Sequence, residues 1–140
     1  MNNKIIYQDE LSPEHKKVII DGLNHNSYIQ KELGENNGSF SFVIERANGE
    51  FEAGLSGFHY YGCCYIDLLF VNESVRGKGY ASQLIQKAEA LARERNCLFM
   101  AVNTMDFEAR PFYEKHGFVV EFVREGFEKD SKMYFLRKEL

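Results

Sequence analysis

Apolar and polar residues recur along this chain in two periods, and the change from one to the other marks its elements. Residues 40–47 read as a strand, and Asn48-Gly49 is a two-residue hairpin signal leading into a second strand, Phe51–Tyr60. Tyr61-Gly62 marks another turn. Cys63–Val71 is then apolar throughout except at Asp67, the pattern of a central strand covered on both faces. Downstream the period lengthens: Ala81, Leu84, Ile85, Ala88, Leu91 and Ala92 stand at offsets 0, 3, 4, 7, 10 and 11, one apolar face of an amphipathic helix. Residues 98–102 are a second buried strand, and the intervening helix makes it parallel to Cys63–Val71.

The two ends are less regular. Ser12-Pro13-Glu14 reads as N-cap, first helical residue and first-turn acid. That helix carries Val18, Ile19 and Leu23, with a break expected near Gly22 or Asn24 on the way to Leu33. A short helix is expected over 106–115, with Asp106 as its N-cap and Gly117 ending it. Strands near 118–123 and 132–137 complete a single α/β domain, residues 1–140, around a mixed sheet of six or seven strands flanked by helices. The charged stretch 125–132 reads as a solvated loop between them.

Composition narrows the function classes. With 44% hydrophobic and 27% charged residues the chain has a globular balance, and 140 residues can bury a core without staples. A formal charge of -4 gives no electrostatic footprint for nucleic acid and suits, weakly, a cationic partner. No stretch approaches 18 apolar residues, so no membrane span is expected. The opening Met1-Asn2-Asn3-Lys4-Ile5-Ile6 lacks the apolar run and cleavage site of a signal peptide. Cys63, Cys64 and Cys97 are an odd trio in apolar segments, as reduced, packed thiols are, so the cytoplasm is the expected compartment. His15, His25, His59 and His116 show no metal-ligand spacing, and no metal is expected.

The segment richest in chemistry is Arg76-Gly77-Lys78-Gly79-Tyr80-Ala81, set between a strand and a helix start. Unpaired N–H groups there point outward, the helix dipole adds positive charge, and glycine lets a phosphate reach the backbone. Arg76 and Lys78 bring two cations, and Ser82 a hydroxyl for the same anion or for a cap. A nucleoside triphosphatase loop would need G-x-x-x-x-G-K-[ST], which is missing. A dinucleotide loop needs a third glycine where Ser82 stands and an acid after the next strand, where Asn103 stands.

Arg76, Gly79 and Ala81 fit the spacing [Q/R]-x-x-G-x-[G/A], and Ala109, Phe112, Tyr113, Lys115, Gly117 and Phe118 fit A-x-x-F-Y-x-K-x-G-F. In these two signatures, which span residues 66–118, the chain resembles the GNAT superfamily of N-acetyltransferases. The resemblance implies acetyl-coenzyme A as co-substrate. The backbone of Leu69, Phe70 and Val71 would flank its pantetheine arm, and Arg76, Gly77, Lys78, Gly79, Tyr80, Ala81 and Ser82 would hold its diphosphate. It also implies a central strand splayed from the next, for which a β-bulge near 67–69 is the physical device. The family often has Asn where Asp106 stands; a carboxylate would repel phosphates, hence its reading as a cap.

The resemblance further implies direct transfer of acetyl to a primary amine in a ternary complex. Tyr113 would protonate the departing thiolate, its alternative being an ordinary packed aromatic. Asp67, or a water, would accept the amine's proton, and burial would fit Asp67 for that task; a structural Asp held by donors is the alternative. Tyr60, Tyr61 and Tyr65 are candidates for the acceptor pocket or for its rim. His25, Asn26 and Tyr28 border it only by analogy. A small-molecule amine and a peptide or protein amine both remain open as acceptors, and the closing strands offer an edge for a homodimer. The rival readings are a non-catalytic acyl-coenzyme A sensor or scaffold of the same fold and a dinucleotide-dependent oxidoreductase.

Overall fold

Both hairpin signals act as turns in the computed structural model, which describes residues 2–140; Met1, the start of the opening segment, lies outside them. Strand β1 (Gly38–Glu45) returns as β2 (Phe51–Tyr60) through a turn in which Gly49 has φ 88° and donates its N–H to the Arg46 carbonyl at 2.9 Å. Tyr61 and Gly62, with φ of 49° and 81°, form a turn left-handed at both central residues, which matches the twist of β2 and β3 (Cys63–Val71). There follow α2 (Tyr80–Glu94), β4 (Phe99–Met105), α3 (Arg110–Lys115), β5 (Val119–Phe127) and β6 (Ser131–Glu139). The sheet has six strands in the order β1-β2-β3-β4-β6-β5, with β3 and β4 parallel and the other pairs antiparallel.

Contacts divide the chain into a unit that ends at Glu35 and a unit Asn36–Leu140, which contains the sheet. The first unit is built on α1 (Pro13–Lys31). Ser12 Oγ accepts the His15 N–H at 3.1 Å, and Glu32 closes the helix in the left-handed region with φ 57°. The break expected near Gly22 or Asn24 is absent. One glycine in a helix costs about 1 kcal/mol against alanine, too little to end a helix capped at both ends.

In the second unit the register between β2 and β3 slips once. Ser56 faces Leu68 while Gly57 faces Ile66, so Asp67 is one extra residue in β3, a bulge where one was expected. On its other edge β3 pairs with β4 only from Cys63↔Phe99 to Ile66↔Val102; past that point the two strands run on without pairing to each other. The strand is central, yet its covering on both faces holds only before the bulge. Cys63, Cys64 and Ile66 are buried, whereas Leu68 and Phe70 are 67% and 55% exposed. The core lies on the α2 side, where Leu84, Ile85, Ala88 and Ala92 pack against Ala53, Leu55, Cys64, Ile66, Met100, Val102 and Leu136. Each large side chain buried there contributes about 2 kcal/mol.

Three expectations fail near the closing strands. Strand β4 continues past 102 to Met105, because Asn103 and Thr104 pair with Phe135 and Tyr134 of β6. Asp106 is not a helix cap. Its N–H bonds the Lys132 carbonyl at 2.9 Å, which prolongs the strand edge, and α3 begins only after Ala109. The Thr104 hydroxyl takes the Ala109 N–H at 3.2 Å, and the Glu108 carboxylate takes the Met105 N–H at 3.0 Å. Residues 125–132 likewise form no loose loop: β5 runs to Phe127, β6 starts at Ser131, and a three-residue turn joins them, with Lys129 and Asp130 in the left-handed region at φ of 55° and 57°.

Gly57 sits beside the bulge with no room for a side chain. A Cβ there would stand 2.3 Å from the Tyr65 carbonyl oxygen and 2.7 Å from the Phe40 ring. Gly57→Ala is therefore expected to destabilise the protein by about 2 kcal/mol or more, read as a lower denaturant midpoint at unchanged slope.

Candidate active site

The unpairing of β3 from β4 opens a cleft of about 370 Å3. One wall is Leu69, Phe70 and Val71 of β3; the floor is Val75, Arg76, Gly77 and Gly79 with Tyr80, Ala81 and Ser82 of α2; the far wall is Ala109, Phe112 and Tyr113. Nine of the ten residues expected to hold the cofactor thus line one space. Lys78 is exposed and lies outside the lining, as does Asp67.

Local geometry presents the floor's amides. Gly77 and Gly79 have φ of 84° and 80°, and open space surrounds the position of a Cβ at each, so the backbone there is bare. Gly79 is the left-handed N-cap of α2 and supplies no side chain to the first turn. The Gln83 N–H reaches the Gly79 carbonyl at 3.0 Å, which leaves Tyr80, Ala81 and Ser82 as the orphan donors of the helix start. Arg76 lies over the Phe70 ring at 5.7 Å, and its Nε donates to the Val71 carbonyl at 3.1 Å. A guanidinium, a helix N-terminus and bare amides together favour an extended anion.

A carboxylate holds this loop from behind. Glu52 of β2 is buried and accepts from Arg46 Nε at 2.8 Å and from the Tyr80 phenol. Its carbonyl also takes the Asn72 N–H at 2.8 Å, and Asn72 Nδ2 donates to the Phe51 carbonyl at 2.7 Å. Both ends of the glycine loop are therefore tied to the start of β2. Nothing in the local sequence signals this, because the partners stand 20 or more positions apart in the chain. Arg46, the Tyr80 phenol and Lys78 hold the Glu52 carboxyl below the ordinary carboxylate range, against the pull of burial.

Tyr113 stands on the opposite wall. It is 5% exposed, its ring edge-on to Phe112 at 5.3 Å and to Phe118 at 5.6 Å. Burial, with a smaller effect of Glu108, pushes its phenol up to about 12, so it keeps its proton across the physiological range. Asp67 is exposed, not buried, because the bulge turns it out of the covered part of the strand; its carboxylate accepts from Ser56 Oγ at 2.6 Å. On the hairpin beyond it Phe58 stands 5.2 Å from Tyr65 and 5.5 Å from Tyr60, and Tyr60 and Tyr61 are exposed. The three cysteines are free and buried, with burial pushing Cys63 to about 11 and Cys64 to about 12. Cys97 lies just before β4 and not in it. Among the described residues no three His, Cys, Asp or Glu side chains form a metal cluster, and no helix is long and apolar enough to cross a membrane.

A sheet opened beside a glycine loop and a helix start offers a seat for an extended anion, and comparison with other proteins identifies the family. Residues 6–118 match the model of the Acetyltransferase (GNAT) family. The chain belongs to that family. It is 33% identical to an acetyltransferase of Agrobacterium fabrum over 81% of this chain and 82% of that one. It is 42% identical to the blasticidin-S acetyltransferase of Streptomyces morookaense over 50% of this chain and 52% of that one. Among solved structures, an acetyltransferase from Bacillus cereus superposes with a TM-score of 0.79 at 28% identity, covering 96% of this chain and 98% of that one. An N-acetyltransferase of Thermoplasma acidophilum, solved in complex with coenzyme A, shares the fold at a TM-score of 0.61 and 14% identity, covering 93% and 80%.

The Glu52 contacts carry a pH signature. A lowered folded-state value means that the stability Glu52 adds is present in full above its ordinary value of 4.5 and is lost as pH falls through the lowered one. The difference in Tm between the wild type and Glu52→Gln should therefore be largest near neutrality and close towards zero in acid, as differential scanning calorimetry at stepped pH would record.

Proposed function

We propose that this chain is an acetyl-coenzyme A-dependent N-acetyltransferase, residues 1–140 acting as one such domain, that transfers acetyl to a primary amine by direct attack in a ternary complex. The observation that carries this reading is the cleft itself: bare amides and Arg76 at one end, a buried and protonated Tyr113 on the facing wall. A relative of the same fold solved with coenzyme A supports the cofactor, and the residues present fit it: apolar walls for a pantetheine arm, donors for a diphosphate.

The chemistry divides among the chain's own groups. The first turn of α2 and Arg76 would bind and orient the co-substrate's diphosphate. The ammonium gives one proton to Asp67 or to water, and the neutral amine nitrogen attacks the thioester carbonyl; the C–N bond forms, the C–S bond breaks, and the nitrogen sheds a second proton to solvent. Tyr113 Oη–H would donate to the departing sulfur and be reprotonated from solvent. Asp67, exposed and tied to Ser56, fits a relay to water better than a buried base. The exposed aromatic ring group beside it supports a small cationic amine as acceptor, as does the blasticidin-S acetyltransferase among the relatives. The packed thiols suit a reducing, cytoplasmic setting.

The test is release of free coenzyme A from acetyl-coenzyme A over a panel of amines that includes blasticidin S, polyamines, amino acids and peptides. With the best acceptor, Tyr113→Phe should lower kcat by about 100-fold, with the dissociation constant for coenzyme A within about twofold of wild type. Equal turnover in the two proteins removes Tyr113 from the mechanism. Tight coenzyme A binding without turnover of any amine class points instead to a sensor.

A further inference from the structure

Helix α2 and the C-terminal end of α3 share a polar contact behind the floor of the cleft, which Ser82 lines and His116 does not. Ser82 Oγ, on the first turn of α2, lies 2.9 Å from Nε2 of His116, the residue that caps α3. The imidazole is half-buried and packs on Phe112, ring centres 4.7 Å apart. Its charged neighbours are Lys115 beside it in the chain, Lys138 of β6 and Glu89 of α2, the last two paired with each other. The mechanism above makes no use of this histidine.

A serine hydroxyl carries one proton. Where Nε2 accepts, that proton points at the ring and is lost to any anion in the cleft. Where Nε2 bears hydrogen, the ring donates to Oγ and the serine's own proton is free. We propose that His116 is a positioning residue for the diphosphate: as the imidazolium, its Nε2–H donates to Ser82 Oγ, and the Ser82 hydroxyl donates in turn to a phosphate oxygen on the first turn of α2. This rests on the coenzyme A reading of the cleft.

The arrangement is linked to protons. Burial, then Lys138 and Lys115, lower the imidazole's proton affinity and Glu89 opposes them, so the ring of the free protein is mostly neutral at pH 7. A diphosphate beside Ser82 favours the ring form that donates at Nε2, most of all the imidazolium, so binding draws a proton onto His116. Affinity is then fullest at low pH and declines as pH rises through the value that His116 has in the complex. The same contact ties the helix that bears Tyr113 to the helix that holds the anion.

The probe is 3′-dephospho-coenzyme A, because the cofactor's own 3′-phosphate titrates at about pH 6 and would obscure the protein's proton. Calorimetry from about pH 5.5 to about pH 8, in two buffers of different ionisation heat, reads affinity and proton uptake together. Wild type should take up a proton on binding and bind about three- to tenfold more weakly at the alkaline end. His116→Gln keeps a donor that does not titrate; it should bind without uptake and with a flat profile. Ser82→Ala should weaken binding about tenfold. Wild-type binding with no proton exchange, uptake retained in His116→Gln, or unchanged affinity in Ser82→Ala would each overturn the proposal alone. A folded wild type that binds no coenzyme probe would take down the cofactor reading with it.

Discussion

One extra residue in the third strand governs this architecture. Up to Ile66, β3 is an interior strand with partners on both edges, and its Cys64 and Ile66 side chains are sealed under α2. Asp67 then inserts against the Ser56–Gly57 step, and pairing with β4 stops at Val102. Unmade ladder bonds in a sheet interior cost free energy unless water or a ligand meets the exposed groups. The chain tolerates that cost in one place, and the cleft is that place. Gly57, with no room for a methyl group, is what lets β2 stay paired across the irregularity.

Around this opening the remaining parts serve to hold a second surface still. The glycine loop alone would be free to move, since nothing packs on Gly77 or Gly79. It is fixed from outside, through Asn72 on the near side and Tyr80 on the far side, both to the first residues of β2. Tyr113 is held by a different device, a cluster of edge-on aromatic rings that also removes its phenol from water. Bare backbone tied down at its two ends and a phenol enclosed by aromatic rings are opposite ways of fixing the two sides of one cleft.

Much of this was legible in the chain because it is local. The bounds of β2 and β3 follow from two turn signals, and the buried face of α2 follows from its apolar spacing. The bulge near Asp67 was expected only because the resemblance to the GNAT superfamily implies a splayed central strand. What could not be read depends on partners distant in sequence. The start of α3 is set by Thr104 and Glu108, whose positions follow from the pairing of β4 with β6, so Asp106 gave a false cap. The exposure of Asp67, Leu68 and Phe70 depends on where β4 leaves, which no run of apolar letters reveals. Ser82 and His116, 34 positions apart, meet only because α2 and α3 border the same opening.

The central claim is that the gap left by Asp67 is the seat of an extended, anionic co-substrate. A crystal structure of the protein grown with coenzyme A tests it most directly. The account predicts a pantetheine arm lying along β3 beyond Ile66, hydrogen-bonded to its main chain, with the diphosphate on the amides of residues 77–82. Coenzyme A bound elsewhere on the folded protein, or β3 and β4 zipped together past Val102 with the arm outside them, would contradict it.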